Sequence, residues 1–327
     1  FGVFIYLALM AEAFMGYLLP WGQMSYWGAQ VIINLFSTVP FVGPDLAVWI
    51  RGDFAISDPT LTRFYALHIV AVPMVILLLV FLHLAALHTV GSNNPDGVEI
   101  KKNKDSEGNP LDGIPFHPYY TVKDFVGIGV FLFLFALTVF YIPEMGGYFL
   151  ENANFIPANP LVTPEHIAPV WYFTPFYSIL RAIPDPAYGA LAMALSIIVL
   201  FFLPWIDSNP IKSIRYRSLL FKINLFVFVI SFLVLGWLGV KSVTPLYSEL
   251  ALRFSQMYFL FFTLLYFYSQ SRDSLYSYAF SFTLISLLSI YDILRISADN
   301  YINLLVGLVL VGSFVLLMSL LPLFTNF

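Results

Sequence analysis

The chain has 327 residues, of which 60% are hydrophobic and 10% charged, with a formal net charge of −4 and no cysteine. So little charge on so apolar a chain excludes an ordinary soluble domain. The lack of cysteine excludes disulfides, iron–sulfur ligation and thioether-attached haem, and no nucleic-acid partner is expected.

The chain opens at Phe1 inside an apolar run, without a positively charged leader. This reads as an N-terminal truncation. Phe1 to Pro20 is a first span with a single charge, Glu12. It ends at Pro20, Trp21, Gly22, Trp27 and Gly28, residues typical of a membrane interface. Ser25 to Phe36 reads as a short amphipathic helix and Pro40 to Pro59 as an irregular connection. The second span, Leu61 to Thr89, carries His68, His83 and His88, and Pro73 inside it predicts a kink.

Gly91 to Pro118 is a polar loop with Lys101, Lys102 and Lys104. A third span covers Val122 to Tyr141. Pro143 to Pro184 is proline-rich and too long for a mere connector, which marks it as functional. Further spans are expected over Gly189–Trp205, Leu219–Val240, Leu250–Tyr268, Leu275–Leu294 and Tyr301–Leu323. The fold class is therefore an all-α, polytopic transmembrane helix bundle of about eight spans. Loops after the second, fourth and sixth spans, with their flanks, hold nine Lys or Arg against six on the other side. The positive-inside rule puts the Gly91–Pro118 loop on the cytoplasmic face and the proline-rich segment outside.

Ionisable side chains are costly in hydrocarbon and tend to be kept where they work. His68 and His83 are fifteen residues apart. On an α-helix that is about 22 Å along the axis and about 60° from a whole number of turns. Two imidazoles on a similar side of one span, one near each face, suggest two metal centres stacked across the membrane. The plainer reading is a pair of satisfied core or relay histidines. One helix cannot supply both axial ligands of a haem, and His117 and His166 lie among prolines outside the apolar runs. Partner ligands must then come from outside the chain.

Four stretches, FMGYLLPWGQMSYWGA, LHTVGSNNP, PFHPYYTVKD and PANPLVTPEHIAPVWYFTPFYSILRAIP, occur in this order. Together they resemble the cytochrome b family of the quinol–cytochrome c oxidoreductases, in its bacterial form, over about Phe1 to Tyr268. The run continuing past His88 argues against the split chloroplast form. The resemblance implies a bundle whose first two helices are missing here, one of them carrying the other two haem histidines. It divides the chain into 1–117, the rest of the haem-bearing N-terminal domain; 118–272, the C-terminal domain with the outer quinol-site loop; and 273–327, two spans unlike the family.

It also implies two non-covalent b haems: His68 as ligand of the outer, low-potential one and His83 of the inner, high-potential one. Quinol is oxidised at an outer site. Electrons pass through the haems to an inner quinone site, contributing to proton translocation. Phe14, Tyr17, Gly28, Pro169, Val170, Trp171, Tyr172, Phe173 and Tyr177 resemble the outer site. His88, Ser92, Phe116, Lys123 and Asp124 resemble the inner one, where an imidazole and a carboxylate suit proton donation to a quinone. Where the family often reads Pro-Glu-Trp-Tyr, with the Glu as proton acceptor, this chain has Val170. Glu165, with His166, is the expected replacement, and Tyr177 is a second catalytic candidate.

Implied partners are a Rieske iron–sulfur protein, a cytochrome c-type subunit, quinone, membrane lipid and a second copy of the complex. The implied location is a bacterial inner membrane, multi-pass, and the fragment alone is expected to be inactive. Two other readings stay open. A secondary transporter would use Glu12, His68 and His83 as an ion relay, but inverted repeats are not visible. A cofactor-free assembly subunit would fit the half-complete ligand sets.

Overall fold

A computed structural model describes residues 1–147 and 149–270. The expected spans Leu275–Leu294 and Tyr301–Leu323, and the whole region 273–327, lie outside the described residues. Among the described residues the structure is helical, with isolated bridges only at Gly22–Pro157 and Lys104–Pro110.

The helices are α1 (Gly2–Leu18), α2 (Gln23–Phe36), α3 (Gly43–Arg51), α4 (Asp58–Ala66), α5 (Val72–Val90), α6 (Thr121–Tyr141), α7 (Thr174–Ala182), α8 (Pro186–Ile198), α9 (Leu203–Ile206), α10 (Leu219–Gly239) and α11 (Pro245–Gln270). Among the described residues, five helical runs are long and apolar enough to cross a membrane: Asp58–Val90, Phe116–Tyr141, Pro186–Ile206, Leu219–Gly239 and Pro245–Phe267. The apolar α1 has 17 residues, about 26 Å of helix against a hydrocarbon core of about 30 Å. The count of about eight is thus not reached among the described residues. Leu77, Phe81, Phe131, Phe133 and Phe140 all point outward. An apolar exterior of this extent belongs in lipid or against other membrane helices, and the chain is a multi-pass membrane protein.

One sequence expectation needs correction. The stretch Pro40–Pro59 is not irregular, because it contains α3 and the start of α4. Pro44 sits in the first turn of α3, Asp45 lies at its positive end and Arg51 at its negative end. Gly52 then stops it in the left-handed conformation, at φ 79°. Within the proline-rich segment, Thr174–Ala182 is helical, with Pro175 in its first turn, where the missing N–H costs no bond.

Pro73 does not break the second span. The proline cannot donate to the carbonyl four residues back. The chain answers with a π turn over Leu67–Ala71, closed by a bond from the Val72 N–H to the Leu67 carbonyl.

The described chain forms two compact units, residues 1–202 with 211–259 and residues 203–210 with the rest from 260. In the first, Leu18, Tyr26, Ala29, Ile33, Ala47, Ile56 and Phe64 form a buried cluster joining α1 to α4. Elsewhere in that unit α7 lies on α10: Ser178 donates to the Leu235 carbonyl at 2.5 Å, and Arg181 to the Leu238 and Lys241 carbonyls at 2.8 and 3.0 Å. In the second unit Ser269 donates to the Ile206 carbonyl at 2.7 Å.

Candidate functional site

Helix α1 runs antiparallel to the α4–α5 span, and each histidine of interest meets a glycine of α1. The His68 ring lies where a Gly16 side chain would be. A Cβ there would sit 2.9 Å from Nδ1 and 3.0 Å from Nε2, inside van der Waals contact. At the other level, a Cβ on Gly2 would meet His83 Cε1 at 3.7 Å, an ordinary contact.

The π turn explains how a fifteen-residue pair matches a fourteen-residue pair. It absorbs one more residue than an α turn. The step from His68 to His83 therefore winds like about fourteen α-helical residues, about 40° short of whole turns, rather than the 60° excess expected from the spacing. Gly2 and Gly16 are fourteen apart on a regular helix.

The two imidazoles have different surroundings. His68 is half-buried, and its Nδ1 lies 2.9 Å from Glu12 Oε1 and 3.0 Å from the Glu12 carbonyl oxygen. Both neighbours accept when the carboxyl is ionised, so Nδ1 is the nitrogen that donates to them. His83 is exposed and makes no hydrogen bond among the described residues. Nor do any three of His, Asp and Glu converge there as a metal cluster. Each histidine stands outside any such cluster among the described residues.

The α1–α2 corner is stitched to the proline-rich segment. Tyr17 donates to Glu151 Oε2 at 2.6 Å. Ser25 donates to the Tyr17 carbonyl at 2.6 Å, and its N–H to Asn154 Oδ1 at 2.9 Å. The Gln23 N–H donates to the Ile156 carbonyl at 3.0 Å, and its side-chain amide to that of Val162 at 2.9 Å. Gly22 is required here, because a Cβ would collide with Asn154.

Of the expected outer-site residues, Phe14 and Tyr17 on α1 and Gly28 on α2 belong to this corner. A Cβ on Gly28 would meet nothing within 4 Å, so space is open beside it. In the proline-rich segment Trp171 and Tyr172 make an edge contact at 5.4 Å and Tyr172 and Phe173 a tilted one at 4.8 Å. Burial pushes the Tyr172 phenol above its usual range. Pro169 and Val170 are half-buried, and Tyr177 lies under the Arg181 guanidinium at 4.7 Å. Glu165 and His166 are exposed. Sequence reasoning missed Glu151, since a lone acid in a loop carries no motif.

The inner-site candidates fall into two groups. His88 and Ser92 lie at the end of α5, where Lys101 donates to the His88 and Thr89 carbonyls at 3.0 and 2.8 Å and caps the helix. Phe116, Lys123 and Asp124 lie at the start of α6, with Phe116 stacked on Tyr120 at 6.0 Å and Lys123 over the Tyr120 ring at 5.6 Å. Among the described residues no hydrogen bond or ring contact joins the groups. The loop after α5 is clamped to residues 212–216 by Arg215 on Asp96 at 2.5 Å, Tyr216 on Asp96 at 3.1 Å, and a Lys212–Glu99 pair.

Comparison with known proteins bears on this geometry. The family model for the N-terminal part of cytochrome b (b6/petB) matches residues 1–175, and that for the C-terminal part (b6/petD) matches 157–259. Cytochrome b of Allochromatium vinosum is 57% identical over 277 residues, 82% of this chain and 66% of its own length. That of Rickettsia prowazekii is 52% identical over 258 residues, 79% of this chain and 62% of its own. A chain in a solved hyperthermophilic respiratory complex III superposes with a TM-score of 0.75 at 36% identity, covering 82% of this chain and 69% of that one. The chain thus spans somewhat less than two thirds of its curated relatives.

Proposed function

The chain belongs to the cytochrome b family, and from that premise we propose that it forms the membrane core of a respiratory quinol–cytochrome c oxidoreductase. The observation that carries this reading is the pairing of His68 with Gly16 and His83 with Gly2 at two depths of one helix pair. Flat prosthetic groups need ligands on a rigid element and a neighbouring backbone without side chains. The donor set fits a b haem at each imidazole, for His68 presents Nε2 with its Nδ1–H already held. A haem b at each position, when bound, supplies the one-electron chemistry that side chains lack. His68 would hold the outer, low-potential group and His83 the inner one; the second imidazole for each comes from outside the chain.

Quinol binds at the corner where α1, α2 and the proline-rich segment meet. The open space beside Gly28 admits the ring, and Phe14, Trp171, Tyr172, Phe173 and Tyr177 supply aromatic walls around it. Val170 cannot take a proton. Glu151 lies at that corner, already accepting a hydrogen bond from Tyr17, whereas Glu165 is exposed. We therefore assign proton acceptance to Glu151, with Glu165 and His166 as the route onward to water. At the inner face, His88, Ser92, Phe116, Lys123 and Asp124 bind quinone, and the imidazole and carboxylate deliver its two protons. Likeness to a complex III chain supports a Rieske protein and a cytochrome c-type subunit as partners; a second copy of the complex is proposed alongside them.

Redox titration of the full-length protein in membranes tests the reading. Two b-type absorbance steps are expected, with one lost in His68→Ala and the other in His83→Ala. A colourless protein, or one whose steps survive both substitutions, favours the transporter or assembly-subunit reading.

A further inference from the structure

We propose that Glu12 is a positioning residue for His68 that lowers the potential of the haem held there, and that the absence of such a carboxylate at His83 helps to separate the two potentials. The inference rests on the haem reading above and adds a cause for the difference between its two sites.

Glu12 is the only charged residue of α1, and it sits one turn before Gly16. From there it reaches His68 twice. Its backbone carbonyl and its carboxylate Oε1 both face Nδ1, at 3.0 and 2.9 Å. The carbonyl alone would fix the tautomer. The carboxylate adds a negative charge, and a histidine that donates its far N–H to a carboxylate becomes a more basic ligand. Ferric iron carries one more positive charge than ferrous iron, so a basic ligand and a nearby anion both favour the oxidised form and lower the midpoint. The second carboxylate oxygen, Oε2, is shielded from solvent and has no partner among the described residues. His83 has no hydrogen bond and no carboxylate beside it among the described residues. Two ligands of one type on one helix thus differ by one charge, in the sense that makes the His68 group the lower of the two.

The test is a redox titration of the full-length complex, comparing the native protein with Glu12→Gln and Glu12→Ala. In Glu12→Gln the amide oxygen still accepts from Nδ1 but the charge is gone. The step abolished by His68→Ala is expected to move to higher potential in both variants, with the other step unmoved and both haems retained. Retained haems with unmoved midpoints overturn the inference, as does an equal shift of both steps. So does loss of haem in Glu12→Ala alone while Glu12→Gln keeps its native midpoint, since that marks a packing role only. A native protein with no haem steps would instead overturn the reading on which the inference rests.

Discussion

The Tyr17 hydroxyl donates to Glu151 Oε2 at 2.6 Å, although 134 residues separate them in sequence. This short bond ties the end of α1 to the proline-rich segment and leaves a carboxylate beside the proposed quinol pocket. A general base must lie within hydrogen-bond reach of the proton it takes. Losing one costs roughly 10²-fold in rate, so Glu151→Gln is expected to slow quinol oxidation by about that factor, and Glu165→Gln, further along the proton route, by less. Steady-state assays of the two variants across a pH series decide it. Unchanged rate and pH profile in Glu151→Gln remove Glu151 from the mechanism, and a large effect of Glu165→Gln returns the role to that residue.

Gly16 and Gly2 make a graded prediction. A Cβ on Gly16 would overlap the His68 ring, whereas one on Gly2 would only touch His83 at 3.7 Å. Gly16→Ala should therefore displace His68 and lose or weaken the haem there, while Gly2→Ala keeps both. Pyridine haemochrome content, measured alongside the two redox steps, reads this directly. Equal haem loss in the two variants would show that the glycines do not set the ring positions.

The His-bearing span was legible as a span, and Pro73 as its disturbance. The form of that disturbance was not, because a π turn depends on how the carbonyls before the proline find donors, which the packing of α1 against the span helps to decide. The buried cluster around Leu18, Ile33 and Phe64 follows from ordinary apolar patterning. Helix α3 was missed because it is only nine residues long and opens between Pro40 and Pro44, so the decisive signals were the short-range ones at Asp45, Arg51 and Gly52. Glu12 was visible as a charge in a span. Its grouping with His68 appeared only in the ion-relay reading; the specific Glu12–His68 contact was not legible, since contact between α1 and α4–α5 is set by tertiary packing rather than by spacing.

The π turn can be tested by shortening the chain. Deleting Val70, an outward-facing residue within Leu67–Ala71, should let the turn relax to α geometry and leave His68 and His83 in register. Deleting the equally outward Leu77 in regular helix should rotate His83 by about 100° relative to His68. Haem stoichiometry is expected to stay at the native value in the first deletion and to fall by one in the second. Equal damage from both would argue that the π turn is not what holds the two rings in step.

Arg51 makes the last prediction, one of stability rather than chemistry. It is 8% exposed, donates to the Phe54 carbonyl at 2.5 Å and to Asn34 Oδ1 at 3.0 Å, and its own carbonyl accepts from Thr60 at 2.7 Å. Its side chain thus joins α2 to the loop after α3, and its backbone carbonyl ties the end of α3 to the start of α4, beside the buried cluster. Arg51→Met keeps most of the volume but removes the donors to Phe54 and Asn34; both acceptors sit on exposed residues, so the loss is the net worth of two hydrogen bonds, about 0.5–1.5 kcal/mol each. Arg51→Lys restores one charge without the fork, so it should recover only part of the loss. Thermal unfolding of the purified complex in one detergent should rank native above Arg51→Lys above Arg51→Met. If Arg51→Met were as stable as the native protein, water would fully replace the guanidinium at Asn34 and Phe54, and Arg51 would not be what holds this corner.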